Sequence, residues 1–447
     1  MLAQGSKPPN QSWSLILAVI WRMSGSPVVV FLLAALSRIG FWLIVGKSDP
    51  FIGDDQQDYL SIASNLVARG SYLDSTSGLP TAYRDPGYPA FLSLLIRLGC
   101  GDSRCIFALQ VAMSAVTGAL LVWAATLGAG TLAARITGAL YLLLLCLVPY
   151  CLLVYPEVLV CLLLSMLLVV IAAWVKAPTW KNQCAVGVVT AATCLTRGAL
   201  VPGISLLLVA IARETGRAPL KQWLLIGLIP LVSLAGWSTR NLVVVGVFAP
   251  NTSGAVNVYL GNNQVAARHP LGMPELDEIW KPLLGLDEAS QARRSIELAR
   301  DFVIQHPGEA AKNLVQKLPR VLEFDRMFLG VARHGQFPSR SWRLILLVGG
   351  VLVGVSAVVH VACLCTVIRP GSHWLSAGAG AFCLGLLLIE LLTVGHSRYS
   401  MPGWLISLPA AGLFLSKFKW ENPHQRKLLA GVVFVLLLVW AREVVRG

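Results

Sequence analysis

The stretch Gly53-Asp54-Asp55-Gln56-Gln57-Asp58-Tyr59 crowds three carboxylates together. Helix capping asks for one N-terminal acid, which accepts from the free N–H groups of the first turn. Two adjacent Asp residues, with Asp58 one turn on, exceed that need. Crowded carboxylates raise one another's pKa, which suits a general base or a metal ligand. Asp55 and Asp54 are therefore candidate catalytic groups, with capping as the alternative.

Tyr83-Arg84-Asp85-Pro86-Gly87-Tyr88-Pro89 is a stiff, proline-bounded turn. Arg84 could grip two oxygens of a phosphate at once, or simply meet Asp85 at the surface. Glu157, in Tyr155-Pro156-Glu157, stands alone between apolar runs, where an acid is costly without water or a partner. Capping after Pro156 is its other reading. Glu390 lies inside a further apolar run and could face a cavity or pair with an arginine. Arg197, Arg240 and Arg398 also sit at the ends of apolar runs, where they could hold an anion or snorkel to lipid phosphates. His396, two residues before Arg398, could carry a proton or donate to a phosphate, or be structural.

The elements that must position these groups are apolar. Hydrophobic residues make up 56% of 447, charged ones 13%, and the mean hydropathy is +0.69. An ordinary soluble domain carries about 25% charged residues, so a soluble enzyme, a disordered chain and a coiled coil are disfavoured. Runs long enough to span a bilayer need about 17–25 residues. About eleven candidates lie near 26–46, 105–127, 130–149, 157–175, 183–197, 199–212, 223–243, 342–367, 373–395, 400–416 and 428–444. The fifth and sixth are short and could form one bent hairpin or two broken helices. The first reads as an anchor rather than a cleaved signal. The expected fold is an all-α polytopic membrane protein.

Lysines and arginines in short loops set orientation. Lys176 with Lys181, Arg213 with Arg217 and Lys221, Arg369, and the Lys417–Lys427 cluster all fall on one side, inside if the N-terminus is inside. The long loops, 47–104 and 244–341, then face out and hold 17 of the 22 acids. The net charge of +14 thus follows from topology and attraction to anionic lipid, not from nucleic-acid binding. Of ten cysteines, most fall in or beside apolar runs; Cys100 and Cys105 flank an outer turn and could pair in an oxidising compartment.

Three regions follow: an N-terminal membrane module, 1–243, with the candidate catalytic loop 47–104; an outer cap, 244–341; and C-terminal membrane helices, 342–447. Tyr59, Ile62, Ala63, Leu66 and Val67 share a helix face closed by Gly70, and a short interfacial helix starts at Pro86. Within the cap, 288–304 and 307–324 have helical spacing.

Taken in order, these segments resemble the GT-C glycosyltransferases, in particular the family of protein mannosyltransferases and the aminoarabinose transferase of lipid A. Asp55-x-x-x-Tyr59, with Ile62-Ala63 and Gly70, resembles that family's acidic first-loop motif. Arg84-Asp85-Pro86-Gly87-Tyr88-Pro89 resembles its Arg-x-Pro-Gly-Tyr-Pro turn. Pro156-Glu157 resembles a later acidic landmark. Thr196-Arg197, Trp237-x-x-Arg240-Asn241 with Gly246, and Gly261-Asn262-Asn263 resemble further ones, as does Arg398-Tyr399-x-x-Pro402. The likeness covers nearly the whole chain, and its specificity lies in the ordered set. Two positions depart from the pattern. Gln56 stands where relatives often carry Glu, which leaves a share of the role open to Asp54, and Glu157 stands where many carry Asp.

The resemblance implies a membrane glycosyltransferase using a polyprenyl-phosphate sugar, with a lipid, glycan or protein acceptor, on the periplasmic or extracellular face of a bacterial plasma membrane. It implies an inverting displacement with Asp55 as base. Asp54 and Glu157 are the other catalytic candidates. It places substrate binding on Arg84, Tyr59, Tyr88, Arg197, Arg240, Asn262, Asn263, His396, Arg398 and Tyr399. Some relatives bind a divalent metal near the site and some do not; no ligand set stands out here. The rival expectation is a transporter or flippase of a lipid-linked sugar, which calls for inverted repeats and broken midplane helices that the sequence does not display. A polysaccharide polymerase or ligase is a further rival, without this first-loop acidic helix.

Overall fold

The structure is a computed structural model; it describes residues 23–45, 54–74, 77–144, 147–216, 220–268, 276–322, 359–368, 373–395 and 397–446. His396 and the side chain of Asp54 lie outside the described residues, as does most of the expected span 342–367.

Among the described residues the chain is helical, with one isolated bridge between Leu73 and Pro80. The elements are α1 (Pro27–Val45), α2 (Asp54–Arg69), α3 (Gly87–Arg97), α4 (Ser103–Ala129), α5 (Thr131–Leu143), α6 (Glu157–Lys176), α7 (Trp180–Thr196), α8 (Val201–Thr215) and α9 (Leu220–Val245). The cap follows with α10 (Ser253–Gly261), α11 (Gln264–Arg268), α12 (Leu276–Trp280), α13 (Glu288–Gln305) and α14 (Pro307–Leu322). Then come α15 (Val359–Ile368), α16 (Trp374–Leu392), α17 (Ser397–Ser416) and α18 (Pro423–Arg446).

Five stretches are long and apolar enough to cross a membrane: Ser103–Ala129, Glu157–Lys176, Gly198–Thr215, Trp223–Val245 and Trp374–Leu392. This is the pattern of an integral membrane protein, in which each helix satisfies its own backbone. Leucines that a soluble fold would bury face outward. On α1, Val28, Leu32, Leu36 and Leu43 form an exposed stripe, and on α16 Leu384, Leu388 and Leu392 do the same. Small residues let the inner faces close: a Cβ on Gly385 of α16 would strike the backbone of Gly203 on α8.

The expected span 130–149 differs from what the structure holds. Helix α5 stops at Leu143, and Pro149–Leu152 form a 3-10 turn. Two glutamines supply the hydrogen bonds that a helix would otherwise provide. Gln110 donates to the Cys151 and Leu153 carbonyls at 3.2 and 2.9 Å, and Val154 N donates to Gln56 Oε1 at 2.6 Å. Both glutamines are buried.

The short fifth and sixth runs are two helices, α7 and α8, joined at Arg197, whose backbone is extended, and a 3-10 turn at Gly198–Leu200. Helix α17 packs against α4, α5 and α6, which carries its first turn to the start of α6. Cys100 and Cys105 are joined in a disulfide between α3 and α4.

Candidate active site

Five chain segments bring ionised side chains to one place: the first turn of α2, the turn before α3, the start of α6, the tip between α7 and α8, and the start of α17. The turn before α3 is fixed by close approach, since a Cβ on Gly87 would collide with Thr196 at the end of α7. Asp85 strengthens the junction: Gly198 N donates to its Oδ2 at 3.0 Å and Asn251 Nδ2 to its Oδ1 at 2.7 Å. The surface contact considered for Arg84 and Asp85 is thus replaced by separate partners for each.

Acids and arginines alternate across the site. Arg84 Nη2 donates to Asp55 Oδ1 at 2.5 Å and to Asp58 Oδ2 at 2.9 Å. Arg398 Nη1 lies 3.7 Å from Asp55 Oδ2, and its Nε donates to Glu157 Oε1 at 3.0 Å. Arg197 Nη1 donates to the same Glu157 oxygen at 3.1 Å. Aromatic faces back the cations: Arg84 lies over Tyr59 and Tyr83, Arg197 over Tyr399, and Arg398 over Tyr155 and Tyr399.

These pairs correct the expected electrostatics of Asp55. Burial pushes its carboxyl up, but Arg84 and Arg398 outweigh burial and hold it below its ordinary 3.8. Burial would lower the Arg84 guanidinium, but Tyr59 and Asp55 keep it above its ordinary value, firmly charged. Asp85 goes the other way: burial pushes it up despite its two donors.

A cavity of about 320 Å³ lies beside this network, lined by Arg84, Arg197, Arg398, Tyr59, Tyr399 and Glu390 among others. Three guanidiniums on one wall can bind an oxyanion. Neither Asp55 nor Glu157 lines the cavity itself: Asp55, its side chain 38% exposed, is held by Arg84 and Arg398, and Glu157, 1% exposed, by Arg197 and Arg398. An apolar cleft of about 430 Å³, lined by Leu364, Leu384, Leu387 and Trp404, opens on the other side of Glu390.

Not every expected site residue reaches this cavity. Arg240 donates to the Thr81 and Tyr72 carbonyls and stacks on Tyr72 and Trp237, so it clamps the loop before α3. Tyr88 is buried and donates to Gln110 Oε1 at 3.2 Å. Asn262 donates to the Val258 and Leu392 carbonyls, and Asn263 to those of Tyr259 and Leu260. Both amides hold the cap together, Asn262 also ties it to α16, and neither lines the cavity.

Other residues gain a place that the sequence reading did not give them. Asp58 shares Arg84 with Asp55, and its spacing of three along α2 is the signal for that. Glu288, which reads as a solvated cap acid, accepts from Thr81 Oγ1 at 2.7 Å, Ala82 N at 2.9 Å and Thr252 Oγ1 at 2.6 Å. Nothing local in the sequence marks it.

Among the described residues no group of three or more His, Cys, Asp or Glu side chains is placed to hold a metal ion. Between Asp55 and Asp58 the guanidinium of Arg84 takes the position that a cation would need. These residues do not fit a metal, and no step below uses one. The chain matches no protein-family model and no curated protein.

Proposed function

We propose that this chain is a GT-C-type membrane glycosyltransferase that moves a sugar from a polyprenyl-phosphate donor to an acceptor hydroxyl. The observation that carries the reading is the wall of three arginines, Arg84 and Arg398 of them paired with Asp55, and Arg197 and Arg398 at the ends of apolar helices. In this reading about eleven helices span the bilayer, the N-terminus is inside, and the site opens on the outer face. The outer face there is the periplasmic or extracellular side of a bacterial plasma membrane.

The donor phosphate binds Arg84, Arg197 and Arg398, and these stabilise the charge that grows on it as the sugar leaves. Two of these arginines, Arg84 and Arg398, hold Asp55 before the donor arrives. An incoming phosphate competes for them and frees a carboxylate oxygen of Asp55, while Asp58 keeps Arg84 anchored. The acceptor oxygen attacks the sugar C1, the C1–O bond to phosphate breaks, and its electron pair stays on the phosphate oxygen. The acceptor proton passes to Asp55. A carboxylate of lowered pKa is a weak base for a resting alcohol, so this transfer comes late, when the new C–O bond has made the hydroxyl acidic. One displacement inverts the anomeric centre. Glu157 acts through the arginines it positions.

The test is full-length protein reconstituted in liposomes with polyprenyl-phosphate sugars and a hydroxyl acceptor extract, reading free polyprenyl phosphate and new glycoside. Wild type releases both and Asp55→Asn does not. Normal turnover by Asp55→Asn removes the catalytic assignment. Donor movement across the bilayer without transfer selects the transporter instead.

A further inference from the structure

Glu390 is the acid that the proposed chemistry leaves without work. It lies two residues before the end of α16, is 1% exposed, and lines both the polar cavity and the apolar cleft. Among the described residues neither carboxyl oxygen has a hydrogen-bond partner and no ion pair reaches it. The other acids at the site are engaged: Asp55 and Asp58 by Arg84, Glu157 by Arg197 and Arg398, Asp85 by Gly198 N and Asn251.

A buried carboxyl group without partners is costly, and such groups mark functional positions in membrane proteins. The cleft side is apolar, so the missing donors must come from a ligand in the polar cavity. The three arginines that line the cavity attract the donor phosphate, which leaves the neutral sugar head for Glu390. The same cavity therefore offers guanidiniums to an anion and the Glu390 carboxyl group to hydroxyls. Two free oxygens on one planar group match two adjacent hydroxyls. The volume, about 320 Å³, is at the small end of the roughly 300–1,000 Å³ range of ligand sites, which suits a monosaccharide head rather than a longer glycan.

We infer that Glu390 is the sugar-recognition residue of the cavity, its carboxyl group sharing hydrogen bonds with two neighbouring hydroxyls of the donor sugar while the phosphate lies at the arginines. This rests on the proposed donor class. It assigns the sugar to the α16 side of the cavity, and it gives the site a means to tell a glycosylated polyprenyl phosphate from the bare lipid.

The test is equilibrium binding to full-length protein in nanodiscs, read by tryptophan fluorescence. The probes are polyprenyl phosphate and its mannose, glucose, galactose and arabinose derivatives. Wild type binds at least one glycosylated lipid more tightly than the bare phosphate. Glu390→Ala weakens that probe about 10- to 100-fold, the loss expected when two buried hydrogen bonds go. Glu390→Gln, which keeps the shape, weakens it less, and both variants bind bare polyprenyl phosphate as wild type does. Their unfolding midpoints are measured alongside, so that a misfolded variant is recognised; Glu390→Gln then decides. Equal weakening of bare and glycosylated probes makes Glu390 a structural residue and overturns the inference. So does unchanged sugar preference, which would leave acceptor hydroxyls or none at Glu390. If wild type binds none of the probes, the donor class itself fails and the inference falls with it.

Discussion

Replacing Glu157 by Gln changes one charge at nearly constant volume, and the site gives the cost. A single oxygen, Oε1, receives Arg197 Nη1 at 3.1 Å and Arg398 Nε at 3.0 Å. The side chains are 1%, 10% and 14% exposed, so water screens them little. Removing one member of a buried pair costs about 3–5 kcal/mol, because the other charge stays buried. Here two guanidiniums lose their partner, while Arg398 keeps Asp55 at 3.7 Å. The expected loss is therefore within that range, against a total stability of roughly 5–15 kcal/mol for a folded domain. Thermal unfolding in detergent, followed by tryptophan fluorescence, reads it. Glu157→Gln should unfold well below wild type, and added inorganic phosphate should recover part of the difference by supplying the missing anion. Pairing Glu157→Gln with Arg197→Gln should cost less than the sum of the two by about 1–3 kcal/mol. An unchanged midpoint for Glu157→Gln, or additive losses in the double variant, would refute the account of this network.

The pH dependence follows from Asp55. Its folded pKa lies below the unfolded 3.8, so the ion pair's contribution is complete above that value and is lost only as pH falls through the lower folded value. The acid limb of kcat/KM should accordingly lie below 3.8, and Arg84→Gln should move it upward; a limb that stays put would remove Arg84 as its cause. Gly385→Val should destabilise the α8–α16 contact by about 1–3 kcal/mol, because its Cβ has backbone where it needs space; a wild-type unfolding midpoint would contradict that packing. Lys317 is buried in α14 and donates to the Leu391 carbonyl and Asn262 Oδ1. Lys317→Met should loosen the cap and speed proteolysis within 262–322, and unchanged cleavage would show that other contacts hold it.

What the sequence made legible were residues that break a pattern. Arg197 and Arg398 interrupt apolar runs, Asp55 repeats an acid that a cap needs once, and Glu157 stands alone after a proline. Each lies at the end of a helix, where the bundle brings ends together. Partners were less legible, because they depend on contacts far apart in the chain. Thr81 and Glu288 are 207 residues apart, and no local spacing encodes that bond. Arg240 and Arg398 look alike in sequence, but one lies where loop carbonyls fill its donors and the other where carboxylates do. Helix α5 ended early for a related reason. Hydropathy sees 144–149 as more span, while the two glutamines that satisfy Cys151, Leu153 and Val154 just beyond it come from elsewhere in the chain.

The arginine wall and Asp55 carry the proposed chemistry, and sugar transfer by the reconstituted full-length protein tests it most directly. Polyprenyl-phosphate sugars labelled in the sugar are supplied to liposomes carrying wild type, Asp55→Asn or Arg398→Gln. The account predicts label passing to an acceptor hydroxyl with inverted anomeric configuration for wild type, and a loss of about 100-fold or more for each variant, the scale expected for removing a base or a charge-stabilising donor. Transfer by Asp55→Asn at the wild-type rate, or product of retained configuration, would contradict it.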